Sequence, residues 1–517
     1  MPEGFLVGHD IGTGGCKSVL IDLQGGLRST QFAPYPIRHP RAGWAEQDPE
    51  DYWRAAVCNT RGLIGASGIE RRLVQGIGFA GQMLGLVPVG PLGQPTRAAI
   101  SWMDSRADEQ ATRMIRRLGG KKVFQWLAGA APSGKDVVCK LAWIKEQEPA
   151  VFHATAKFLD VTGYLVYRAT GNMVVDRTAA GGTGLLNAKT LKWDRVLARL
   201  IGIDLERLPQ IKGSTEIVGP VSPAAGAELG LEPGTLVIAG MADIPAAATG
   251  SGALEHGDAH IYLGTSSWLC LSLSRPVHLG KFGIVSVASP DPNGFIMIGE
   301  SETAGACLQW FADNLAHPDE WARAEGDQGI FRVLDELADR VEPGAARLLF
   351  MPWLFGERAP VPDTTLRAAF FNLDLKHSRE HMLRAIYEGV AYNLRWLVDA
   401  AGSAGFACSP LRAIGGGAKS DVWMQIISDV TERPVEAVEN PQYAGAVGCA
   451  LAVGLALRGG VDYRQLKQVI RVRKSFEPRE EHRAEYSELY HTFRSLYPGF
   501  SRACRRLNRP ARSDARD

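Results

Sequence analysis

The feature that most constrains the fold is a pair of strand–glycine turn–strand segments, one in each half of the chain. In the first, an apolar strand from Phe5 reaches Asp10, a turn with three glycines follows, and a second strand begins near Ser18. The second occupies residues 260–270, where the turn reads Gly-Thr-Ser-Ser. Because glycine lets the backbone bend with its amides exposed, each segment predicts a tight hairpin. Two similar hairpins predict an internally duplicated α/β architecture, in which two lobes grip one nucleotide from opposite sides.

The first turn carries residue types that bind nucleotide phosphates. Its amides, the Thr13 hydroxyl and the Lys17 ammonium group are donors to phosphate oxygens, and the Asp10 carboxylate can hold Mg²⁺ directly or through water. The spacing matches neither a P-loop nor the Gly-x-Gly-x-x-Gly turn of dinucleotide folds. Taken alone, the segment is equally compatible with an ordinary glycine hairpin in which the aspartate is a buried cap.

Length and charge favour a protein of two large lobes that acts on a small molecule. A chain of 517 residues exceeds a single core, and 57 Lys and Arg residues balance 56 Asp and Glu residues, so no overall field selects nucleic acid or an anionic membrane. The eight cysteines form no Cys-x-x-Cys or Cys/His cluster, which suits the reducing cytoplasm. Apolar runs stay below the roughly 18 residues of a membrane span, and Asp10 interrupts the N-terminal one too early for a signal peptide. We therefore expect a cytoplasmic protein without nucleic-acid or membrane partners.

Strand and helix patterns divide the chain into three parts. A first lobe is predicted over 1–252 and a second over 253–480, because the strand–turn pattern restarts near residue 259. Residues 481–517 are predicted to form a closing amphipathic helix, which starts at Glu480 and ends near Leu496, and a basic tail. After Phe500 the tail is expected to be a solvated, frayed end rather than a nucleic-acid contact. The helices predicted in the first lobe are 50–64, 105–118, 140–147, 160–167 and 245–252.

Asp243 is the carboxylate predicted to act as a general base. It follows the short buried strand 236–239 in a turn of small residues, with no adjacent lysine or arginine to neutralise it. Strand ends in α/β folds present functional groups to clefts. The same position suits an N-cap of the helix that begins near Pro245. The residues alone leave both roles open.

Two further segments place polar or aromatic side chains at strand ends. Gln82 and Met83 follow one apolar strand, and residues 102–106 follow another. An amide, a flat apolar ring and the charged pair Asp104 and Arg106 are what a polyhydroxylated ligand needs. For either segment alone, a solvated loop with a surface ion pair is the simpler interpretation.

A third glycine turn, residues 415–417, lies between a predicted strand and a helix that starts after Ser420. Consecutive glycines at a helix start let a flat or anionic ligand approach the backbone, so a purine or its ribose is a candidate ligand. A structural role is the commoner use of such a turn. The small-residue helix that opens at Gly445 is expected to serve close packing.

In this order along nearly the whole chain, these segments resemble those of the FGGY family of carbohydrate kinases, in the superfamily of actin, sugar kinases and heat-shock chaperones. Residues 10–17 resemble the family's first phosphate loop, 264–266 its second, and Asp243 its catalytic base. Residues 352–358 resemble its Pro-x-x-x-Gly-Glu-Arg segment. The resemblance implies an α/β fold of two ribonuclease-H-like (actin-like ATPase) lobes, with the active site in the cleft between them.

The resemblance also implies ATP and Mg²⁺ as cofactors and assigns residues to each ligand. Asp10 is assigned to the metal. The residues assigned to the sugar are Gln82, Met83, Leu84, Trp102, Asp104 and Asp243. Those assigned to the nucleotide are Gly12, Thr13, Lys17, Gly264, Thr265, Ser266, Gly305, Gln309, Gly416, Gly417 and Ala418. Asp243 would deprotonate a substrate hydroxyl, which then attacks the γ-phosphoryl group of ATP.

The substrate expected from the resemblance is a small sugar or polyol, and a pentulose such as D-xylulose is favoured. The assembly considered is a homodimer. Gln82 and Met83 match xylulose kinases, but these usually carry histidine where this chain has Leu84. Loss of that hydrogen-bonding group indicates a substrate that is less hydroxylated or differently configured at one carbon. The alternatives are a kinase of erythritol, ribulose or glycerol, and a sugar-sensing pseudokinase without phosphoryl transfer. The presence of Asp10, Asp243 and both phosphate loops disfavours the pseudokinase.

Overall fold

Two seven-stranded mixed sheets form the framework of the computed structural model, which describes residues 4–117, 120, 132–187, 190–325, 329–460 and 462–508. The strands of the first sheet are β1 (Phe5–Ile11), β2 (Gly15–Asp22), β3 (Leu27–Pro34), β4 (Val74–Gly81), β5 (Ile217–Pro220), β6 (Leu236–Ile238) and β7 (Met241–Ala242). Those of the second sheet are β8 (Ala259–Leu263), β9 (Ser267–Leu273), β10 (Val285–Ala288), β11 (Phe295–Ser301), β12 (Leu411–Ile414), β13 (Val435–Val438) and β14 (Val472–Phe476). Short ribbons pair Glu46–Gln47 with Ala99–Ile100, Val87–Val89 with Lys157–Leu159, Val174–Asp176 with Gln210–Lys212, Leu186–Asn187 with Lys192–Trp193, and Leu349–Met351 with Ala369–Phe371.

The two sheets repeat one topology around a central hairpin. In the first sheet, β1 pairs antiparallel with β2 and parallel with β4; in the second, β8 pairs antiparallel with β9 and parallel with β12. The strand order is β5-β6-β4-β1-β2-β3, with β7 also paired to β4, and β10-β11-β9-β8-β12-β13-β14. The duplication predicted from the two glycine turns is therefore confirmed.

Helices alternate with these strands along the chain. The α-helices are α1 (Pro49–Ser67), α2 (Asp108–Arg117), α3 (Val137–Gln147), α4 (Pro149–Ala154), α5 (Val161–Thr170), α6 (Arg177–Gly182), α7 (Arg195–Ile201), α8 (Pro223–Leu229), α9 (Asp243–Ser251), α10 (Gly305–Leu315), α11 (Pro318–Ala322), α12 (Ile330–Ala338), α13 (Arg379–Gly402), α14 (Asp421–Thr431), α15 (Ala444–Leu457) and α16 (Arg483–Leu507). The 3-10 helices are Arg71–Leu73, Leu205–Arg207, Gly280–Phe282, Ala345–Arg347, Gly416–Lys419, Pro441–Tyr443, Tyr463–Gln468 and Glu480–His482. Each helix predicted in the first lobe is present with at least one end shifted, and Leu118 of the predicted helix 105–118 lies outside the described residues.

Helices α9 and α15 cross in close contact between the sheets. A Cβ atom on Gly250 would lie 1.8 Å from the carbonyl oxygen of Ala444, and one on Gly448 would lie 2.1 Å from that of Ala246. Helix α15 packs its apolar side on the first sheet, and α9 packs on the second. The close packing predicted for the helix that opens at Gly445 is confirmed. The predicted lobe boundary at residue 252 falls between α9 and β8 and stays a prediction.

The closing helix is longer than the sequence pattern predicts. Helix α16 continues through Pro498 to Leu507, beyond both Leu496 and the point where fraying was expected. Its last turns are held by Asp363, which accepts hydrogen bonds from Ser501 (2.7 Å) and pairs with Arg505 (3.0 Å). The predicted fraying directly after Phe500 is therefore wrong, and Arg509, Arg512 and Arg516 lie outside the described residues.

Two properties of the described ranges bear on the composition analysis. All eight cysteines fall within them and are free thiols. None of the helices in these ranges combines the length and the apolar character that crossing a bilayer requires.

Candidate active site

A cleft of about 1600 Å³ separates the two sheets, and both predicted phosphate loops open into it. The predicted site residues in its lining are Asp10, Gly12, Thr13, Lys17, Met83, Leu84, Trp102, Asp243, Thr265 and Ser266. These residues come from β1, β2 and the turn between them, the turn after β4, the segment after Ala99–Ile100, the start of α9 and the turn between β8 and β9. The fold thus brings residues from both halves of the chain to one cavity.

The first glycine turn is held from behind by side chains. Its backbone closes through a 3.0 Å hydrogen bond from the Gly12 N–H to the Gly15 carbonyl oxygen. The Gly12 carbonyl accepts a hydrogen bond from the Tyr35 hydroxyl (2.6 Å), and the Thr13 carbonyl accepts one from the Gln47 amide (2.8 Å). These bonds fix the turn that is expected to receive phosphate oxygens.

Asp10 lies beside this turn and opposite Lys17 in the β1–β2 register. Burial raises the pKa of the Asp10 carboxyl, and the charge of Lys17 opposes this effect. A Cβ atom on Gly445 would lie 2.4 Å from Asp10 Oδ2, so the carboxylate occupies space that only glycine leaves open at the start of α15. The partial positive charge of that helix terminus favours a negative group there.

The second glycine turn contacts two other segments assigned to the nucleotide. The N–H of Gly305, at the start of α10, donates to the Gly264 carbonyl oxygen (2.9 Å), and the Ala304 N–H donates to that of Thr265 (2.8 Å). A Cβ atom on Gly415 would lie 2.4 Å from the Leu263 carbonyl oxygen, so the third glycine turn lies against the end of β8. The second glycine turn, the third glycine turn and the start of α10 therefore pack side by side.

Six residues assigned to the nucleotide lie outside the cleft lining, namely Gly264, Gly305, Gln309, Gly416, Gly417 and Ala418. Gln309 is exposed and donates a hydrogen bond to Asp313 (2.7 Å). Gly416, Gly417 and Ala418 form the 3-10 turn beside Leu263, and Ala418 is buried. Contact of these six residues with a nucleotide stays a prediction.

Asp243 is the first residue of α9, and its N-cap is Ala242. Oδ1 of Asp243 accepts hydrogen bonds from the backbone N–H groups of Met83 (3.2 Å) and Ile244 (2.9 Å). Burial raises the pKa of Asp243 to about 7; the nearby charge of Asp10 acts in the same direction, while the two N–H donors oppose it. The interpretation of Asp243 as a side-chain N-cap is therefore wrong, and a carboxyl group that titrates near neutrality suits proton transfer.

The residues assigned to the sugar divide into two groups. Met83, Leu84 and Trp102 line the cleft, and Trp102 Nε1 donates a hydrogen bond to Thr13 Oγ1 (2.9 Å). Gln82 is buried behind them and donates to Gln47 Oε1 (2.8 Å), which connects it to the first glycine turn. Contact of Gln82 with the sugar stays a prediction.

Asp104 belongs to a buried ion pair behind the Trp102 loop. Its side chain and that of Arg106 are both 0% exposed, with Arg106 Nη2 2.7 Å from Asp104 Oδ2. Asp104 also accepts a hydrogen bond from the Ala45 N–H (2.6 Å). The interpretation of this pair as a surface ion pair is wrong. The burial supports a role in holding the loop, and direct contact of Asp104 with a sugar stays a prediction.

The cleft also contains a charged group around Arg358, the last residue of the Pro-x-x-x-Gly-Glu-Arg segment, and the motif analysis did not single out the other members, Glu300, Glu302 and Lys135. Arg358 pairs with Glu302 (2.6 Å) and Glu300 (2.5 Å), and its guanidinium carbon lies 5.2 Å from the ring centroid of Trp102. Lys135 lines the cleft as well and makes no ion pair within the described part of the chain. The two glutamates at alternate positions near the end of β11 were the available signal, since strand ends carry functional groups in α/β folds.

Lys140 is a further residue that the motif analysis did not single out. Its side chain is buried, and Nζ donates hydrogen bonds of 2.9 Å to the carbonyl oxygens of Leu84 and Ser101. Burial lowers the pKa of Lys140 to about 7. One ammonium group thereby joins the two cleft-lining segments that were assigned to the sugar.

Comparisons with known proteins agree with this geometry. Residues 5–250 match the N-terminal domain of the FGGY family of carbohydrate kinases, and 259–457 match its C-terminal domain. The chain is 31% identical to the xylulose kinase of Bacillus subtilis (strain 168), over 95% of this chain and 96% of the relative. It is 29% identical to the gluconokinase of the same organism, over 95% of each. The fold matches that of a ligand-bound xylulose kinase from Lactobacillus acidophilus with a TM-score of 0.87 at 24% identity, over 98% of this chain and all of the other.

Proposed function

Because the chain belongs to the FGGY family of carbohydrate kinases, and is thus an ATP-dependent sugar kinase, we propose that Asp243 deprotonates the hydroxyl of a small sugar or polyol that receives the γ-phosphoryl group of ATP. The observation that carries this proposal is the location of Asp243, a cleft-lining carboxylate at the start of α9 whose pKa is raised to about 7. Such a group is partly ionised at neutral pH and can take a proton in the transfer step.

The hydrogen bonds of Asp243 suggest which of its atoms reacts. Oδ1 is occupied by the N–H groups of Met83 and Ile244, which leaves Oδ2 to accept the proton. The amides of both glycine turns, together with Lys17, are proposed to hold the phosphate oxygens while the bond to the substrate oxygen forms. Closure of the cleft would exclude water, so that the sugar accepts the phosphoryl group.

The residues present fit a Mg²⁺ ion that is held mainly by the nucleotide. Mg²⁺ commonly keeps several waters and takes one or two carboxylates together with substrate phosphates. Asp10 provides such a carboxylate at the cleft, while no cluster of three or more His, Cys, Asp or Glu side chains suited to a metal occurs among the described residues. We assign Asp10 to this ion, directly or through water. When bound, the ion supplies positive charge to the phosphate oxygens.

A pentulose such as D-xylulose is the favoured acceptor. The relative with 31% identity is a xylulose kinase, and the apolar wall of Met83, Leu84 and Trp102 suits one face of a small ketose. A specific observation favours a second candidate, an aldonate such as gluconate. The ammonium group of Lys135 lies in the cleft without an ion pair among the described residues and could pair with a carboxylate, and another relative is a gluconokinase.

A substrate screen tests the proposal. Purified protein with ATP and Mg²⁺ is assayed for ADP release against D-xylulose, ribulose, erythritol, glycerol and D-gluconate. Turnover of D-xylulose above that of the others supports the favoured acceptor, whereas preference for gluconate supports the second candidate. Lys135→Met should lower gluconate turnover selectively, and Lys212→Met, outside the cleft lining, is the matched control. Background turnover with every acceptor would contradict the proposal.

The proposal extends to location and assembly. A cytoplasmic location is proposed because the chain carries eight free thiols and uses ATP. A homodimer is the proposed assembly, and light scattering after size-exclusion chromatography tests it against a monomer of 55.9 kDa.

A further inference from the structure

Tyr262 presents its side chain to the cleft two residues before the second glycine turn. Its ring stacks on Trp268, its cross-strand partner on β9, with ring centroids 3.8 Å apart and an interplanar angle of 8°. The Trp268 indole N–H in turn donates to His260 (3.3 Å). The same apolar cluster includes Ala247 of α9 and Ala444 of α15. The phenol ring is therefore held in one orientation by its neighbours.

The phenol oxygen lies beside the second glycine turn. A Cβ atom on Gly264 would be 2.4 Å from it, so the hydroxyl adjoins the first residue of the second glycine turn. The charges of Asp10 and Asp243 both raise the pKa of Tyr262, after the larger effect of burial, and the phenol stays protonated at neutral pH. Within the described residues, this hydroxyl makes no hydrogen bond. A neutral donor without a hydrogen-bond partner among the described residues thus lies beside a phosphate loop, in the cleft that Asp10 and Asp243 also line.

We propose that the Tyr262 hydroxyl donates a hydrogen bond to a non-bridging oxygen of the phosphoryl group during its transfer. The inference rests on the proposed function. Charge on those oxygens changes as the phosphoryl group moves from ADP to the sugar, and a preorganised donor lowers the barrier if its bond is strongest at that stage. A protonated phenol suits this role, because it supplies a donor without adding a second base beside Asp243.

Tyr262→Phe tests this role, because phenylalanine keeps the ring and its stacking on Trp268 and removes only the hydroxyl. We expect kcat to fall roughly 10- to 100-fold, the scale of one lost transition-state donor, with the KM values for sugar and ATP within about twofold of wild type. Binding of ADP with aluminium fluoride, which mimics the transferring group, should weaken by a comparable factor, whereas ADP alone should bind equally well. Tyr167→Phe, whose hydroxyl bonds the Leu92 carbonyl away from the cleft lining, is the matched control and should behave as wild type.

The outcomes separate this inference from the proposed function. A wild-type protein that turns over no acceptor contradicts the proposed function. If wild type is active and Tyr262→Phe keeps its kcat and its affinity for ADP with aluminium fluoride, the role of Tyr262 is wrong. A higher sugar KM with unchanged kcat also overturns it, because the hydroxyl would then bind the sugar. Thermal melting of Tyr262→Phe within a few degrees of wild type shows that a loss of kcat is not a loss of fold.

Discussion

The backbone N–H of Met83 donates a 3.2 Å hydrogen bond to Oδ1 of Asp243. This bond joins the turn after β4, which forms one wall of the cleft, to the first residue of α9. Leu84, the next residue of the turn, has a φ of 61°, a conformation that is unfavourable for leucine. Its carbonyl oxygen is held by Lys140. Substrate wall and proposed base are therefore one connected unit, and changes in the turn should affect both.

Asp243→Asn should lower kcat by roughly 100-fold or more while ATP still binds, because an amide keeps the acceptor for the Met83 N–H but cannot take a proton. Steady-state kinetics and nucleotide titration measure the two effects. Asp194→Asn is the matched control, since Asp194 caps α7 outside the cleft lining and asparagine is an equally good cap. Near-wild-type kcat in Asp243→Asn would show that Asp243 is not the base.

The pH profile should have an acid limb that reports Asp243. Burial raises the pKa of this carboxyl to about 7, so the fraction able to accept a proton falls as the pH falls below that value. A cation bound near Asp10 favours the charged form and would move the midpoint below 7. We expect log(kcat/KM) to rise with unit slope between about pH 5 and the midpoint and then to level. A flat profile from pH 5 to 8 would contradict the assignment.

The sequence pattern predicts the hairpins well because their signal is local. Glycine turns flanked by apolar strands determine the segments at Asp10 and Gly264, and the repeated pattern leads to the repeated topology. The extension of α16 past Pro498 was not predictable in this way. It depends on Asp363, which lies more than 130 residues earlier in the chain and binds Ser501 and Arg505.

Side-chain direction explains the other differences at the site. The strand-end rule places Gln82 and Asp104 near the cleft, but it does not say which of them points into it. The folded chain turns Gln82 toward Gln47 and pairs Asp104 with Arg106 in the interior. The role of Lys140 was missed for a related reason. Its two hydrogen-bond acceptors are backbone carbonyl groups, which every residue has, so no residue type in the sequence indicates them.

Lys140→Met should raise the KM for the sugar about tenfold, because the turn at Leu84 and the segment at Ser101 lose their common donor. The effect on kcat should be smaller, since no reacting group is removed. Lys145→Met, which deletes a more exposed lysine of the same helix, is the control for loss of charge. An unchanged KM in Lys140→Met, with melting as in wild type, would show that the two segments are held without it.

Lys140 should also give the folding stability a recognisable pH dependence. Its pKa is lowered from 10.5 to about 7 by burial, so between these values the folded protein binds fewer protons than the unfolded chain. The free energy of unfolding of wild type, relative to Lys140→Met, should therefore increase from pH 7 to pH 10 and be constant below pH 7. Asp104 and Asp136 favour the charged lysine, while Arg106 and Lys135 oppose it. Chemical denaturation at pH 6, 7.5 and 9 measures the difference, and equal values at all three would refute the lowered pKa.

Gly445→Ala should impair the proposed metal site at Asp10. The added methyl group would lie 2.4 Å from Asp10 Oδ2, so the carboxylate must move. We expect the Mg²⁺ concentration for half-maximal turnover to rise about tenfold, the scale of a disturbed charge-assisted contact. Gly65→Ala in α1 is the matched control, because its added methyl group meets open space. An unchanged Mg²⁺ requirement would contradict the assignment of Asp10.

Leu84→His tests whether this residue sets the acceptor. Leu84 lines the cleft, and histidine tolerates its positive φ better than leucine does, so the exchange should place a hydrogen-bonding group at the sugar wall. We expect kcat/KM for D-xylulose, relative to the acceptor that wild type prefers, to rise about tenfold, the scale of one hydrogen bond to substrate. Leu84→Phe, equally apolar, should leave the ratio unchanged. Leu84 also packs against Leu86, Ile100 and their neighbours. A large drop in melting temperature with an unchanged ratio would therefore show that Leu84 serves packing, and D-xylulose would remain the favoured acceptor.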